Sequence, residues 1–385
     1  MKKKILIINK TFEFGGIPMA LANLLDHISD EYDISLAVFN PNGPLLKRVP
    51  ENVKLLKLSP LTEVLGMTYD ECKLYGSKIQ KLFKVVGSVW SKAFGNGFPI
   101  ALALAFQKNV GDYDVVISYH QEQKAKVLTA GYGKFALKKC NAKKRIAWIH
   151  ADFVATKLGS RQNFNTYKKF DQIVCVSKTS MDSFIAAFPK LREKCDYCYN
   201  CIPVKDIIMK GNQETDVFDK KAGDVVLFSA CRLAVEKGLV PALENLVPLF
   251  KSNNKLKWYI AGNGPEEAAI RNIITKNQLD SQVFLIGYKE NPYPYIKEAD
   301  YLFLPSLHET FSLVAREAAV FGTPVIASDI PVMQEVLSED DFLCSEGDYI
   351  GVIRHLIDSS HTNAVTRKEK DLTDWKEQFE RIIQC

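Results

Sequence analysis

Short runs of wholly apolar residues recur along this chain, each leading into a stretch of helical spacing. That alternation restricts the fold more than any other feature. Residues 4–9 (Lys-Ile-Leu-Ile-Ile-Asn) are the first such run. A strand that is apolar at successive positions must be covered on both faces, as in a parallel sheet flanked by helices. Gly15 and Gly16 follow a short loop, and residues 17–25 carry helical apolar spacing. The chain thus opens as strand, glycine turn and helix, with the helix N-terminus free to face a phosphate.

Further strands are predicted at 34–39, 53–56, 115–118, 145–149 and 172–176, then at 225–230, 256–261, 283–286, 301–304 and 325–327. Strand–helix alternation at this spacing predicts an α/β chain with a doubly wound parallel sheet in each half. A length of 385 residues suits two cores. The expected division is an N-terminal Rossmann-like domain over 1–205, a polar linker over 206–223 and a second Rossmann-like domain over 224–370. A last helix within 371–385 is expected to cross back to the first domain.

Charge divides along the same line. Residues 1–205 are net +14 and residues 206–385 net −9. A basic half suggests an anionic partner: nucleic acid, a membrane surface or a phosphorylated acceptor. No nucleic-acid motif accompanies it. The N-terminus is too weakly apolar for an export signal, and no run approaches the length of a membrane span. A cytoplasmic chain is expected, peripheral on the inner face of the cell membrane. The nine cysteines then read as reduced thiols. Cys195, Cys198 and Cys201 have zinc-like spacing, but the nearest histidines in sequence are far away.

One stretch interrupts the alternation. Residues 72–111 contain no acid, while Lys73, Lys78, Lys81, Lys84, Lys92 and Lys108 are interleaved with Leu82, Phe83, Val85, Val86, Val89, Trp90 and Phe94. This pattern predicts a basic amphipathic insertion that contacts an anionic membrane. The competing reading is a helical pair packed on its own domain, with its lysines merely solvated.

The densest chemical signal runs from Ala299 to Asp329. A strand ends at Pro305, a loop carries Glu309, a helix begins near Ser312, and Glu317 lies on that helix. Glu309 is thereby placed at the carboxyl edge of a parallel sheet, where ligands of such folds bind. The amides of Phe311, Ser312 and Leu313 stand at a helix N-terminus and suit an anion.

This stretch resembles the Glu-x7-Glu signature of the retaining GT-B glycosyltransferases of family 4, the glycosyl transferases group 1. Arg232, Glu236, Lys237 and Gly238 match that family's Arg-x4-Lys-Gly element. Residues 260–265 match its Gly-x-Gly-Pro strand end, and residues 284–288 its following strand. Gly15-Gly16, His150, Val176-Ser177 and Asn200 match landmarks of its N-terminal domain. The sequence departs from the pattern at Thr310, at 17–19 and at Cys201, which puts donor or acceptor choice in question.

The resemblance implies two Rossmann-like domains and a retaining hexosyl transfer from a nucleotide-diphosphate sugar, with a UDP-sugar favoured. The acceptor would be a glycan or lipid-linked sugar, in bacterial surface polysaccharide or capsule synthesis. It implies that Arg232 and Lys237 neutralise the diphosphate and that Glu317 binds the ribose. Glu309 and His150 would be the catalytic residues on the sugar, and Tyr288 and Lys289 would lie near the base. Gly15 and Gly16 would admit the phosphates. Neither metal nor cofactor is expected. Asp112 and Asp114 imitate an Asp-x-Asp metal motif but read as a turn entering a strand. Two alternatives stay open: an epimerase or sugar phosphorylase on the same fold, and an inactive partner subunit.

Overall fold

The protein is described by a computed structural model that covers residues 2–213, 218–345, 348–358 and 372–384. Parts of three expectations lie outside the described residues: 214–217 of the linker, 359–370 at the end of the second domain, and 371 and Cys385 of the terminal segment. The chain forms two compact units, Met1–Cys201 with Asp374–Cys385, and Ile202–Thr373.

The first unit is built on seven parallel strands: β1 (Lys4–Thr11), β2 (Asp33–Asn40), β3 (Lys54–Leu56), β4 (Asp112–Ser118), β5 (Asn141–Ile149), β6 (Gln172–Cys175) and β7 (Cys195–Tyr197). Their order in the sheet is β3-β2-β1-β4-β5-β6-β7. Ile5, Leu6, Ile7 and Ile8 of β1 are fully buried, as strands covered on both faces require. The reversal of direction beside β1 places its carboxyl end, and those of β4 and β5, at the point where such sheets open a crevice.

The second unit has six parallel strands: β8 (Val225–Ala230), β9 (Leu256–Ala261), β10 (Val283–Gly287), β11 (Tyr301–Leu304), β12 (Val325–Ser328) and β13 (Phe342–Cys344). Their order is β10-β9-β8-β11-β12-β13, so β8 and β11 are neighbours at the switch point. Two edge strands, β7 and β13, escape sequence reading; each is three residues long and pairs with a single neighbour.

Three sequence expectations are corrected here. Asp112–Asp114 is not a turn but the first part of β4. Asp114 accepts the Lys4 amide at 2.8 Å and pairs with Lys143 at 2.7 Å, while Asp112 accepts Asn141 Nδ2 at 2.7 Å. Residues 204–211, placed largely in a linker, form the helix Val204–Gly211. A Cβ at Gly211 would meet the Phe321 ring at 2.4 Å, so this helix packs tightly on the helix Leu313–Phe321. The terminal helix Asp374–Ile383 belongs to the first unit, where Tyr199 donates its amide to Gln378 and Arg381 pairs with Asp196.

The third correction concerns residues 72–111, which form the helices Tyr69–Tyr75 (in part), Lys78–Phe94 and Gly97–Ala105. The middle helix is amphipathic but inverted. Its buried positions are Gln80, Lys84, Gly87 and Ser91, whereas Ile79, Leu82, Val86, Val89, Trp90 and Phe94 are exposed. Gln80 Nε2 donates to the Pro60 carbonyl at 2.9 Å, and Lys84 Nζ to the Met67 carbonyl. Lys84 is thus an inward group rather than a surface charge, and burial lowers its pKa to about 8. Helical periodicity reveals that a helix has two faces; it does not say which one turns inward.

Within the second unit, Trp258 is fully buried and its Nε1 donates to Ser229 Oγ at 3.0 Å; Ser229 in turn donates to the Phe303 carbonyl at 2.5 Å. This ties β9, β8 and β11 together at side-chain level. Ser229→Ala leaves the indole N–H buried without its acceptor, so it should destabilise the unit by about 1–3 kcal/mol. Urea unfolding followed by tryptophan fluorescence measures the loss.

Candidate active site

The loop leaving β8 and the loop leaving β11 are joined through their backbones. The Glu236 carbonyl accepts the amides of Leu307 at 2.9 Å and His308 at 3.2 Å. Gly238 has φ +63, and a Cβ there would stand 2.0 Å from the Pro305 carbonyl oxygen. Only glycine lets the two backbones come this close. The turn at 262–264 is held in the same manner against the β8 loop: a Cβ at Gly262 would lie 1.8 Å from the Cys231 oxygen, with φ +140.

This stitching sets Lys237 beside Glu309. Lys237 Nζ meets Glu309 Oε1 at 2.5 Å, with side chains 22% and 12% exposed. Ser306 Oγ donates to the same oxygen at 3.1 Å. Burial works to lower the lysine pKa, but the Glu309 charge and hydrogen bond outweigh it, and the pKa rises. Lys237 is therefore charged at neutral pH, and both groups face the carboxyl edge of the sheet. Arg232, in the same loop, is exposed.

Glu317 sits on the helix Leu313–Phe321, whose N-cap Ser312 adopts a left-handed φ of +61. Its carboxyl is buried and accepts the Tyr293 hydroxyl at 3.4 Å. Burial pushes its pKa up to about 7, against the smaller opposing effect of that hydrogen bond. At the exit of β10, Tyr288 is exposed, and Lys289 Nζ lies 5.5 Å from the centroid of the Tyr295 ring. The second unit therefore brings together Arg232, Lys237, Glu309, the loop 311–313 and Glu317 at one sheet edge. Ser306 and Tyr293 were not foreseen. Ser306 could have been suspected from its place between the strand end and Glu309, but Tyr293 lies 24 residues from its partner and carries no sequence signal.

In the first unit, Gly15 caps the helix Gly16–Ile28 at the exit of β1. A Cβ at Gly16 would meet nothing within 4 Å, so packing does not demand glycine there. His150 follows β5. Its ring packs on Tyr119 with centroids 4.7 Å apart, and its Nε2 is buried with no hydrogen-bond partner among the described residues. Burial, with a smaller push from His120, lowers the His150 pKa to about 3, so the imidazole is neutral. Asn9 Oδ1 and Asn200 Oδ1 are likewise buried without partners among the described residues. Unpaired polar atoms at the open edge of a sheet are suited to a polar ligand.

Cys198 and Cys201 are buried and Cys195 is half-buried, and burial raises all three pKa values. Cys198 and Cys201 contact the Trp375 carbonyl and His27 respectively. Among the described residues no group of three or more His, Cys, Asp or Glu is arranged to hold a metal ion, and no helix is long and apolar enough to cross a membrane.

Comparison with known proteins places this geometry. Residues 212–375 match the family model of glycosyl transferases group 1. The chain is 26% identical over 172 residues to the O-antigen biosynthesis glycosyltransferase WclY of Escherichia coli, covering 44% of this chain and 46% of that protein. It is 28% identical over 178 residues to a Campylobacter jejuni N-acetylgalactosaminyltransferase whose name specifies a diphospho-undecaprenol-linked acceptor, covering 46% of each. The chain thus spans about half the length of the curated relatives it matches. Over its whole length it superposes on the Anabaena protein HepE in complex with UDP-glucose, with a TM-score of 0.66 at 18% identity, covering 99% of both chains. That likeness establishes the fold: two parallel α/β sheets as in GT-B glycosyltransferases.

The buried Glu317 has a consequence for stability. The unfolded carboxyl titrates near 4.5 and the folded one near 7. The folded state holds the proton longer, so stability falls as pH rises between these values and does not return above them. Glu317→Gln should leave stability unchanged below about pH 4 and raise it by about 3 kcal/mol above about pH 8. Urea denaturation at the two pH values tests this.

Proposed function

We propose that this chain, a member of the glycosyl transferases group 1, transfers a hexosyl unit with retention from a nucleotide-diphosphate sugar to a lipid-linked glycan acceptor. The observation that carries the reading is the Lys237–Glu309 pair held at 2.5 Å at the carboxyl edge of the second sheet. A cation and an anion so placed can separate onto the two ends of a sugar diphosphate. Lys237, with Arg232, takes the phosphate charge, and Glu309 takes hydroxyls of the sugar. The amides at 311–313 complete the phosphate cradle, Glu317 accepts the ribose hydroxyls, and Tyr288 and Lys289 flank the base. In the first unit, neutral His150 offers an uncharged hydrogen-bonding atom suited to a sugar hydroxyl. Gly15 and Gly16 leave open space at a helix N-terminus.

In the reaction the bond from the anomeric carbon to the diphosphate oxygen breaks, and a bond to the acceptor hydroxyl oxygen forms on the same face. The acceptor proton passes to the departing phosphate oxygen. Side-chain cations and amides supply the positive charge, so no metal is required by this scheme. UDP is the favoured nucleotide, supported by the fold shared with a UDP-glucose complex. A diphospho-undecaprenol acceptor in one relative supports a lipid-linked acceptor here.

The donor assignment is tested by calorimetric titration with UDP and GDP. Lys237→Ala should weaken binding of the preferred nucleotide by about 1.5–3 kcal/mol. Ribose hydroxyls need the ionised carboxylate, so affinity should rise with pH through about 7 in the parent, and Glu317→Gln should flatten that rise. Transfer from a nucleotide-sugar panel should persist in EDTA. Unchanged affinity in Lys237→Ala would remove the basis of the reading.

The inverted helix Lys78–Phe94 supports a peripheral membrane location. Its outward face offers Ile79, Leu82, Val86 and Val89 with exposed Lys78, Lys81 and Lys92 beside them. Apolar side chains flanked by lysines suit an interface with anionic lipid. Co-sedimentation with vesicles should rise with anionic lipid content and fall with salt. Lys78→Glu, Lys81→Glu and Lys92→Glu together should release the protein while leaving nucleotide binding intact.

A further inference from the structure

The helices Gly97–Ala105 and Tyr132–Lys138 enclose a groove of about 500 Å³ in the first unit. One wall is small and apolar, formed by Ala101, Leu104 and Ala105. The other carries Lys134, Lys138 and Lys139, and no lining residue is acidic. We infer that this groove seats the phosphate headgroup of an anionic phospholipid, with the apolar wall receiving the upper part of an acyl chain. The inference rests on the membrane location proposed above and names the lipid contact within it.

A helix dipole alone does not account for the lysines. Cations near a helix C-terminus are favourable, which would explain Lys138 and Lys139. Lys134 stands in the first turn of the same helix, at the unfavourable end, and is one turn from Lys138, a like-charge spacing that costs stability. Its nearest acid, Glu122, is already engaged by the amides of Gly131 and Gly133, each at 2.9 Å. Burial lowers the Lys134 pKa, and although Glu122 opposes this, Lys138 adds to it. An anion in the groove would relieve all three lysines at once.

The exposed residues of the helix Gly97–Ala105 next to the groove identify the kind of anion. Phe98 and Leu102 are exposed there, and Trp90 lies with its ring centroid 5.1 Å from both Phe94 and Phe98. An exposed aromatic cluster next to a lysine-lined groove on the same helix places apolar and anionic contacts side by side. A phospholipid satisfies both; free phosphate satisfies only the second.

The test is calorimetric titration of the full chain with dihexanoyl phosphatidylglycerol below its micelle concentration. Dihexanoyl phosphatidylcholine and inorganic phosphate form separate arms. Saturable one-to-one binding is expected for phosphatidylglycerol, at least roughly tenfold tighter than for the other two. Lys138→Gln with Lys139→Gln should weaken it by roughly tenfold or more, as should Ala101→Glu, which keeps the lysines and adds a carboxylate to the exposed wall. Lys168→Gln with Lys169→Gln, removing the same charge elsewhere in the unit, should leave it unchanged. Absent saturable binding, equal affinity for phosphate, or groove variants that bind like the parent would each overturn the inference. Vesicle co-sedimentation by the parent, read separately, decides the membrane location whatever the groove does.

Discussion

The meeting of two backbones at Gly238 and Pro305 is the constraint on which the donor-side geometry depends. Strands β8 and β11 are neighbours only because the order of the sheet reverses between them. Their exit loops must share a narrow space, and the Glu236 carbonyl joins them through two amides. Any side chain at position 238 would push the loops apart, since its Cβ falls 2.0 Å from a carbonyl oxygen. Lys237 and Glu309, 72 residues apart in the chain, are adjacent as a result of this backbone contact and not through a side-chain network of their own. The ion pair is a consequence of the stitch. Its short, half-buried geometry also keeps each partner desolvated and ready to exchange the other for a ligand group.

The elements that a reader of the sequence can find are those whose physics is local. Residues 5–8 and 225–228 announce inner strands because a two-sided burial requirement favours apolar side chains at successive positions. Glu309 and Glu317 could be placed relative to strand and helix because the segment 299–329 contains its own start and stop signals. What escaped was settled by distant contacts. Strands β7 and β13 exist because a neighbour offers an edge. The segment 204–211 is helical because it packs on Phe321, a residue more than a hundred positions away. Lys84 reads as one more lysine in a basic stretch, and only the Met67 carbonyl, available once the preceding helices are in place, draws it inward.

Glu317 and His150 follow one rule from opposite directions. Each is buried with little to stabilise its charge, so the acid holds its proton to about pH 7 and the base loses its proton above about 3. Such groups cost the fold stability in exchange for a hydrogen-bonding atom kept dry, and perturbed titration of this kind is concentrated at functional sites. Within the first unit, a neutral His150 offers an uncharged hydrogen-bonding atom at the sheet edge. Within the second, a Glu317 shielded from water is free to take the ribose proposed for it rather than solvent.

The inverted helix Lys78–Phe94 makes sense on the same energetic terms. Its inward face is secured by polar means: a capping box between Ser77 and Gln80, the Gln80 bond to the Pro60 carbonyl, and the Lys84 bond to the Met67 carbonyl. Turning it over would bury Ile79, Leu82, Val86 and Val89, each gaining about 1.5–3 kcal/mol on full burial. It would also cast out Lys84 and Gln80 with their hydrogen bonds intact only to water. A close fit opposes that reversal, because Gly87 passes Leu128 with room for no more than a Cβ at 3.0 Å. A fold that holds polar groups inward and four aliphatic side chains outward forgoes several kcal/mol in water. In the membrane location proposed above, an apolar phase alongside would return them. The lysines at the margins of the segment and in the groove would then lie in the charged layer of that boundary.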